Sequence, residues 1–190
     1  MASFFDQIEP HIGAFIASQH IFFTTTAAAS GRINVSPRPT GCLRVLNANA
    51  VAYLDETGSG NETAAHLRLL DRMTIMFCGF ENVPMILRLY GHGRTHPLGS
   101  PEYDALLKSA FDNESSPGAR QIVRLTIDLV QTSCGYGVPL FDYKEERHTL
   151  HRWAEGKGPD GVAAYRQQKN RFSIDGFPTG VPLPDQIAAE

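Results

Sequence analysis

Apolar and polar positions along the chain fall into short runs whose period changes from one run to the next. Phe4, Phe5, Ile8, Ile12, Phe15 and Ile16 recur at helical spacing over residues 4–18, which predicts an amphipathic first helix whose regularity Pro10 limits. Residues 20–27 are dense in aromatic and β-branched side chains and predict a strand. Ser30-Gly31 supplies a turn, and residues 32–36 read as the returning strand of a hairpin, stopped by Pro37 and Pro39. Two further short strands, 42–46 and 50–54, lie either side of Asn47-Ala48-Asn49. A helix is expected from about 61 to 70, followed by a strand pair at 73–80 and 85–90, with Gly91 and Gly93 marking a bend or bulge. Ser100-Pro101-Glu102 opens another helix with a capping hydroxyl, a first-position proline and an acid in the first turn; it carries Tyr103, Leu106, Leu107 and Phe111 inward. Residues 112–119 read as loop. Residues 121–131 alternate apolar and polar almost throughout, a strand with one wet face and a buried face of Ile122, Leu125 or their alternates, according to register. Helical segments at 144–155 and 160–170 lead into a Gly- and Pro-rich tail, disordered or folded over a partner.

That is about seven strands, most joined by hairpin-length turns, with helices between pairs rather than after every strand. The pattern disfavours a doubly wound parallel sheet and predicts a mainly β fold, an antiparallel barrel with peripheral helices. Its 190 residues, 42% hydrophobic and 19% charged, suit a single domain with a helical extension and tail from about residue 140. A net charge of -3 and a pI near 6.2 argue against broad binding to nucleic acid or an anionic membrane, leaving small molecules or a second copy of the chain as partners. Cys42, Cys78 and Cys134 are widely spaced and odd in number, which suggests neither a disulfide framework nor a thiolate zinc site and fits a reducing compartment. No apolar run reaches the roughly 18 residues that span a bilayer, so a cytoplasmic location is expected.

The stretch with the most chemical content is 53–67, YLDETGSGNETAAHL, where an apolar strand meets a turn and a helix. Ser59 and Glu62 stand three apart, as in a capping box, and Gly58 and Gly60 let the backbone approach a bound group. One reading is a phosphate seat at Ser59, Asn61 and Thr63, because free amides and the dipole make a helix start an anion site. The other is an ordinary capped turn.

The order of segments adds a second source of expectation. A hairpin ending INVSP, a strand ending AYLD, the turn TGSGNETAAHL, then MTIMFCGF and LRLYGHGR resemble the flavin-binding split-barrel group related to pyridoxamine 5′-phosphate oxidase. SCGYGVPLFDY and NRFSIDGFP resemble one uncharacterised branch of that group, and the likeness extends from about His20 to Pro178. It implies a homodimer holding FMN in a cleft between subunits. Asn34, Val35 and Ser36 would lie along the flavin, Tyr53, Leu54 and Asp55 would offer contacts to the ring edge, and Ser59, Asn61, Glu62 and Thr63 would surround the phosphate. Where the vitamin-producing oxidases have adjacent basic residues, this chain has Glu62-Thr63, so Glu62 is expected to cap its own helix and the counter-charge to come from Arg38, Arg44, Arg32 or Arg88. Arg38 and Arg44, flanking a Pro-Thr-Gly turn, are the first choices, since the planar guanidinium can bind two phosphate oxygens. The C-terminal arginine and histidine arrangement of those oxidases has no counterpart in the tail, so pyridoxal phosphate synthesis is not the expected reaction.

Other residues change little. His92 and His96 lie beside Gly91, Gly93 and Pro97, which oppose a helix, and His148 and His151 lack a third ligand, so no metal site is expected. Gly58-Ser59-Gly60 is not a nucleophile elbow. Cys134 and Tyr136, in a glycine-flanked loop, could reach a flavin or substrate, or serve structure alone; Trp153 is expected to anchor the C-terminal helix on the barrel. The reading is an FMN-dependent oxidoreductase of a small organic substrate, with NADH, NADPH or oxygen as redox partner. The alternatives are a protein that binds FMN, haem or a deazaflavin without turnover, or a non-redox enzyme using the same cleft.

Overall fold

In chain order the elements are β1 (Ser3–Phe5), α1 (Pro10–Ser18), β2 (Ile21–Thr26), β3 (Asn34–Pro39), a 3-10 turn at Thr40–Cys42, β4 (Leu43–Asn47), β5 (Ala50–Glu56), α2 (Glu62–Leu69), β6 (Arg72–Cys78), β7 (Met85–Pro97), α3 (Pro101–Ala110), β8 (Ala119–Cys134) and α4 (Thr149–Lys169). The structure, a computed structural model, describes residues 1–181. All strand pairs are antiparallel in one eight-stranded sheet, ordered β3-β2-β6-β7-β8-β5-β4 with β1 added to β8. The sheet curls into a half-barrel with the four helices at its periphery, the expected split-barrel class.

Two long strands set the frame. β7 and β8 pair along almost their whole length, and the other edge of β8 is shared between β5, opposite residues 119–126, and β1, opposite residues 130–132. The register shifts between Tyr90 and Gly91, where a Cβ would sit 1.9 Å from the Thr126 carbonyl oxygen. Only glycine allows that approach, so the predicted bulge falls where the strands bend. Inside the barrel Val123, Leu125 and Ile127 meet Phe22, Tyr53, Phe77 and Leu89, and α1 closes one end with Ile12, Phe15 and Ile16. Gln121 shares the inward face, while Ile122 lies on the outer face under Tyr103 and Leu107 of α3 and its C-cap residue Phe111. The α3 start is as predicted, with Ser100 Oγ accepting from the Tyr103 amide at 3.2 Å.

Several boundaries move for identifiable reasons. The first helix begins at Pro10, whose missing N–H costs nothing at that position, while Phe4 and Phe5 are drawn into β1 by pairing with β8. Pro37 and Pro39 do not stop β3: it is an edge strand paired only to β2, so its other side needs no donors. β7 continues through Gly91 and Gly93 to Pro97. The helix expected from residue 144 starts at Thr149, because the preceding segment is held extended by the Phe141 amide on Phe80 O at 2.8 Å and by Tyr143 stacked on His20 at 3.7 Å. α4 is broken at Gly158, φ 66°, next to Pro159, which preserves the two predicted helical halves. Trp153 is half-buried and packs edge-on against Tyr165 of the same broken helix, at 4.9 Å. Residues 171–181 fold back onto their own chain, with Phe172 bridging Pro178 and the Thr179 hydroxyl donating to the Asn170 carbonyl. The remainder of the tail lies outside the described residues.

Candidate functional site

β5 delivers Asp55 and Glu56 to a five-residue turn, 57–61, and α2 starts at Glu62. No capping box forms. Asn61 is the N-cap, but its side chain caps no helix amide; its Oδ1 accepts from Gln121 Nε2 at 3.0 Å. The Glu62 carboxylate does not return to its own helix either: both oxygens accept from the Ile174 amide, at 3.1 and 3.2 Å, tying the tail across the turn. Ser59 is exposed, whereas Asn61 and Thr63 are buried.

Strand alternation then lays out a polar row. On β3, Asn34, Ser36 and Arg38 point inward and Val35 outward, opposite Thr26, Thr24 and Phe22 of β2. Asn34 Nδ2 donates to Thr63 Oγ1 at 3.3 Å, the Ser36 hydroxyl donates to Asn34 Oδ1 at 3.1 Å, and Thr26 Oγ1 lies 3.1 Å from His66 Nδ1. The row therefore joins α2 to the floor of the barrel. At its two ends Arg38 Nε and His66 Nε2 are buried without a hydrogen-bond partner, a condition that buried nitrogens seldom tolerate.

Asp55, wholly buried, is the hub below the turn. It ion-pairs with Arg38 and accepts from Arg120 Nε and Gln121 Nε2, each at 2.7 Å. Burial alone would raise its pKa; the two guanidinium groups and the donated hydrogen bonds outweigh that and hold it below the usual carboxylate range. Arg38 stacks over Tyr53, at 4.7 Å, and stays charged because Tyr53 and Asp55 outweigh the cost of burying it. Burial likewise pushes the Tyr53 phenol and the Cys42 thiol each up to about 12.

From the Asp55 hub the network climbs to the turn. Arg120 Nη1 donates to Gly60 O at 2.7 Å and to Asn170 Oδ1 at 3.0 Å, and Asn170 Nδ2 donates to Gly58 O at 3.0 Å. Arg166 Nε donates to Thr57 Oγ1 at 2.7 Å and its Nη2 to Ala119 O at 2.6 Å. Sequence reading missed Arg120, Gln121, Arg166 and Asn170. For Gln121 a signal existed, since it places an amide on the inward parity of an otherwise apolar face; nothing local distinguishes Arg166 or Asn170 from solvated helix residues.

The other expected residues disperse. Arg44 turns to the outer face, donating to Gly41 O and Leu43 O at 2.8 and 2.9 Å and lying 5.1 Å over Phe111, with Leu54 packed under the same helix. Arg32 pairs with Asp175 of the tail. Arg88 reaches Ser133, and Cys134 and Tyr136 are exposed beyond it, at the end of β8 opposite Gln121; one chain does not bring them to the polar row. His92 contacts Asp71 at 3.0 Å and Asp128 at 3.5 Å, and no group of three or more His, Cys, Asp or Glu able to hold a metal occurs among the described residues. No helix among them is long and apolar enough to cross a membrane.

The family model described as pyridoxamine 5′-phosphate oxidase matches residues 8–134. A pyridoxamine 5′-phosphate oxidase family protein of Aspergillus flavus, ustO, is 37% identical over 94% of this chain and 78% of its own length. Among solved structures, HupZ of group A Streptococcus superposes with a TM-score of 0.51 at 18% identity, over 64% of this chain and 91% of that one. A variant of the same protein with one histidine replaced by alanine gives 0.54 at 17% identity, over 66% of this chain and 99% of that one. These last two likenesses concern the fold.

Proposed function

The chain belongs to the pyridoxamine 5′-phosphate oxidase family, whose fold typically binds flavin, and from that premise we propose that it is an FMN-dependent oxidoreductase acting as a homodimer on a small organic substrate. The observation that carries this is the polar row between β3 and α2 with a buried, partnerless nitrogen at each end, Arg38 Nε and His66 Nε2. Those atoms fit a ligand bearing several acceptors, and the Ser36 and Thr63 hydroxyls between them fit its polyol chain. The residues at the turn fit a phosphate through backbone rather than through the expected arginines of β3 and β4, since Arg38 is held by Asp55 and Arg44 faces outward.

Bound there, the flavin supplies hydride or electron transfer, with a reduced nicotinamide or oxygen as redox partner. The chain's own part is to hold and exclude. Asp55 fixes Arg38 against Tyr53, the apolar barrel behind them keeps water from the row, and no acid–base residue of the chain is required for direct hydride transfer. The test is to purify the protein, denature it, and identify any released chromophore by absorbance and mass. FMN that bleaches anaerobically with NADH or NADPH supports the reading. A colourless protein that takes up no added FMN overturns it.

A further inference from the structure

α4 lies beyond the stretch that the family model matches, yet Arg166 and the C-cap residue Asn170 both reach the turn 57–61, alongside Arg120 of β8. We propose that Arg166 and Asn170 are positioning residues for the cofactor phosphate: Asn170 holds the Gly58 carbonyl and fixes Arg120, which holds that of Gly60, and Arg166 holds the Thr57 hydroxyl where the turn begins, so that the turn's amides face outward at the anion. This rests on the FMN reading above.

The geometry follows from peptide planarity. In a trans peptide the C=O and the next N–H point in opposite directions, and the described residues contain no cis bond. Asn170 Nδ2 takes Gly58 O and Arg120 Nη1 takes Gly60 O, both from the inner side. The amides of Ser59 and Asn61 are therefore turned the other way, outward, beside the α2 start that no side chain caps. Two amides facing one side, beside the free amides of a helix start, offer donors to an anion. The clamp is itself fixed: Asn170 is fully buried, its Oδ1 accepts from Arg120 and its carbonyl from Thr179, and Arg166 is held by Thr57, Gly118 and Ala119.

Charge adds to the aim. Arg38 and Arg120 pair with the buried carboxylate Asp55, Arg166 lies within electrostatic reach of Asp55 and Arg120, and the Glu62 carboxylate at the α2 start is engaged by the Ile174 amide. Arg166 has no ion-pair partner among the described residues, and both its burial and the nearby Arg120 lower its pKa, so an anion close by would relieve it.

The experiment compares FMN with riboflavin, which lacks the phosphate, on the 190-residue chain and on its Asn170→Ser and Arg166→Lys variants. Dissociation constants come from quenching of flavin fluorescence, with Tm and circular dichroism recorded for each variant. The expected result is a loss of FMN affinity of about tenfold or more in Asn170→Ser, with riboflavin affinity within about twofold of wild type. Arg166→Lys, which keeps the charge but not the planar fork, should lose less. Equal weakening of both flavins, or an unchanged ratio in folded variants, overturns the positioning role while leaving the FMN reading intact. A wild-type protein that binds neither flavin overturns that reading, and this inference with it. Should Asn170→Ser not fold, the Arg166→Lys ratio alone decides: unchanged, it overturns the proposal.

Discussion

At the scale of single residues, Asp55 is the position on which the most depends. It is a carboxylate with no exposure, facing Arg38 and Arg120. Removing its charge leaves two guanidinium groups buried with nothing opposite them, and breaking a buried pair from one side typically costs about 3–5 kcal/mol. Asp55→Asn is therefore expected to lower unfolding stability by about that amount in urea titration; a loss under about 1 kcal/mol would mean that water compensates the arginines. The pH dependence has a definite sign. Because the folded pKa lies below the unfolded value of about 3.9, the contribution is complete above that value and is lost as pH falls through the folded pKa. Wild type should lose stability in acid over that window, and Asp55→Asn should lack that component. Thiol chemistry gives a second residue-scale test. Burial pushes the Cys42 thiol up to about 12 and also raises that of buried Cys78, whereas Cys134 is exposed. Native protein near pH 8 should modify fastest at Cys134, more slowly at half-buried Cys42 whose thiol is held protonated, and at buried Cys78 only after unfolding, as read by peptide mass.

At the scale of elements, what could be read from the chain was whatever local chemistry dictates. The Ser100 cap, the glycine bulge at Gly91 and the break at Gly158-Pro159 each follow from a residue type that permits little else. What could not be read depends on a partner strand or segment distant in sequence. β1 exists because β8 pairs with it, β3 runs through two prolines because nothing pairs on its far side, and Glu62 leaves its helix for an amide 112 positions away. The site divides in the same way: Asn34, Ser36, Asp55, Asn61 and Thr63 are brought to one seam, while their supporting residues come from β8, α4 and the tail. Two predictions belong here. Gly91→Ala would force its methyl into the Thr126 carbonyl, so the β7–β8 pairing must part locally, and a loss above about 2 kcal/mol is expected on denaturation. Glu62→Ala removes the acceptor of the Ile174 amide, and hydrogen exchange there should accelerate by about tenfold, the equivalent of one hydrogen bond. Unchanged exchange would show that the tail is held by its other contacts, the Arg32–Asp175 pair and the Thr179 hydroxyl on Asn170 O among them, and not by Glu62.

At the scale of the whole molecule, the surface is more apolar around the seam than a solitary chain requires. Ile33 and Val35 beside β3's free edge are 69% and 59% exposed, and Phe172 and Ile174 of the tail are 53% and 72% exposed. The Arg32–Asp175 pair joins the two segments that carry these side chains. An unpaired strand edge bordered by such side chains is a surface that a second copy would cover. The protein is accordingly expected to elute as a dimer in size-exclusion chromatography with light scattering at micromolar concentration. Replacing both Ile33 and Ile174 by aspartate should yield folded monomers, because neither side chain contributes to the core. If the cleft is shared, flavin is lost in step with dimerisation, and titrating protein concentration should move both together. A monomeric double variant that retains FMN at wild-type affinity would place the whole cofactor site within one chain, and the clamp of Arg166 and Asn170 would then hold it without help from a partner.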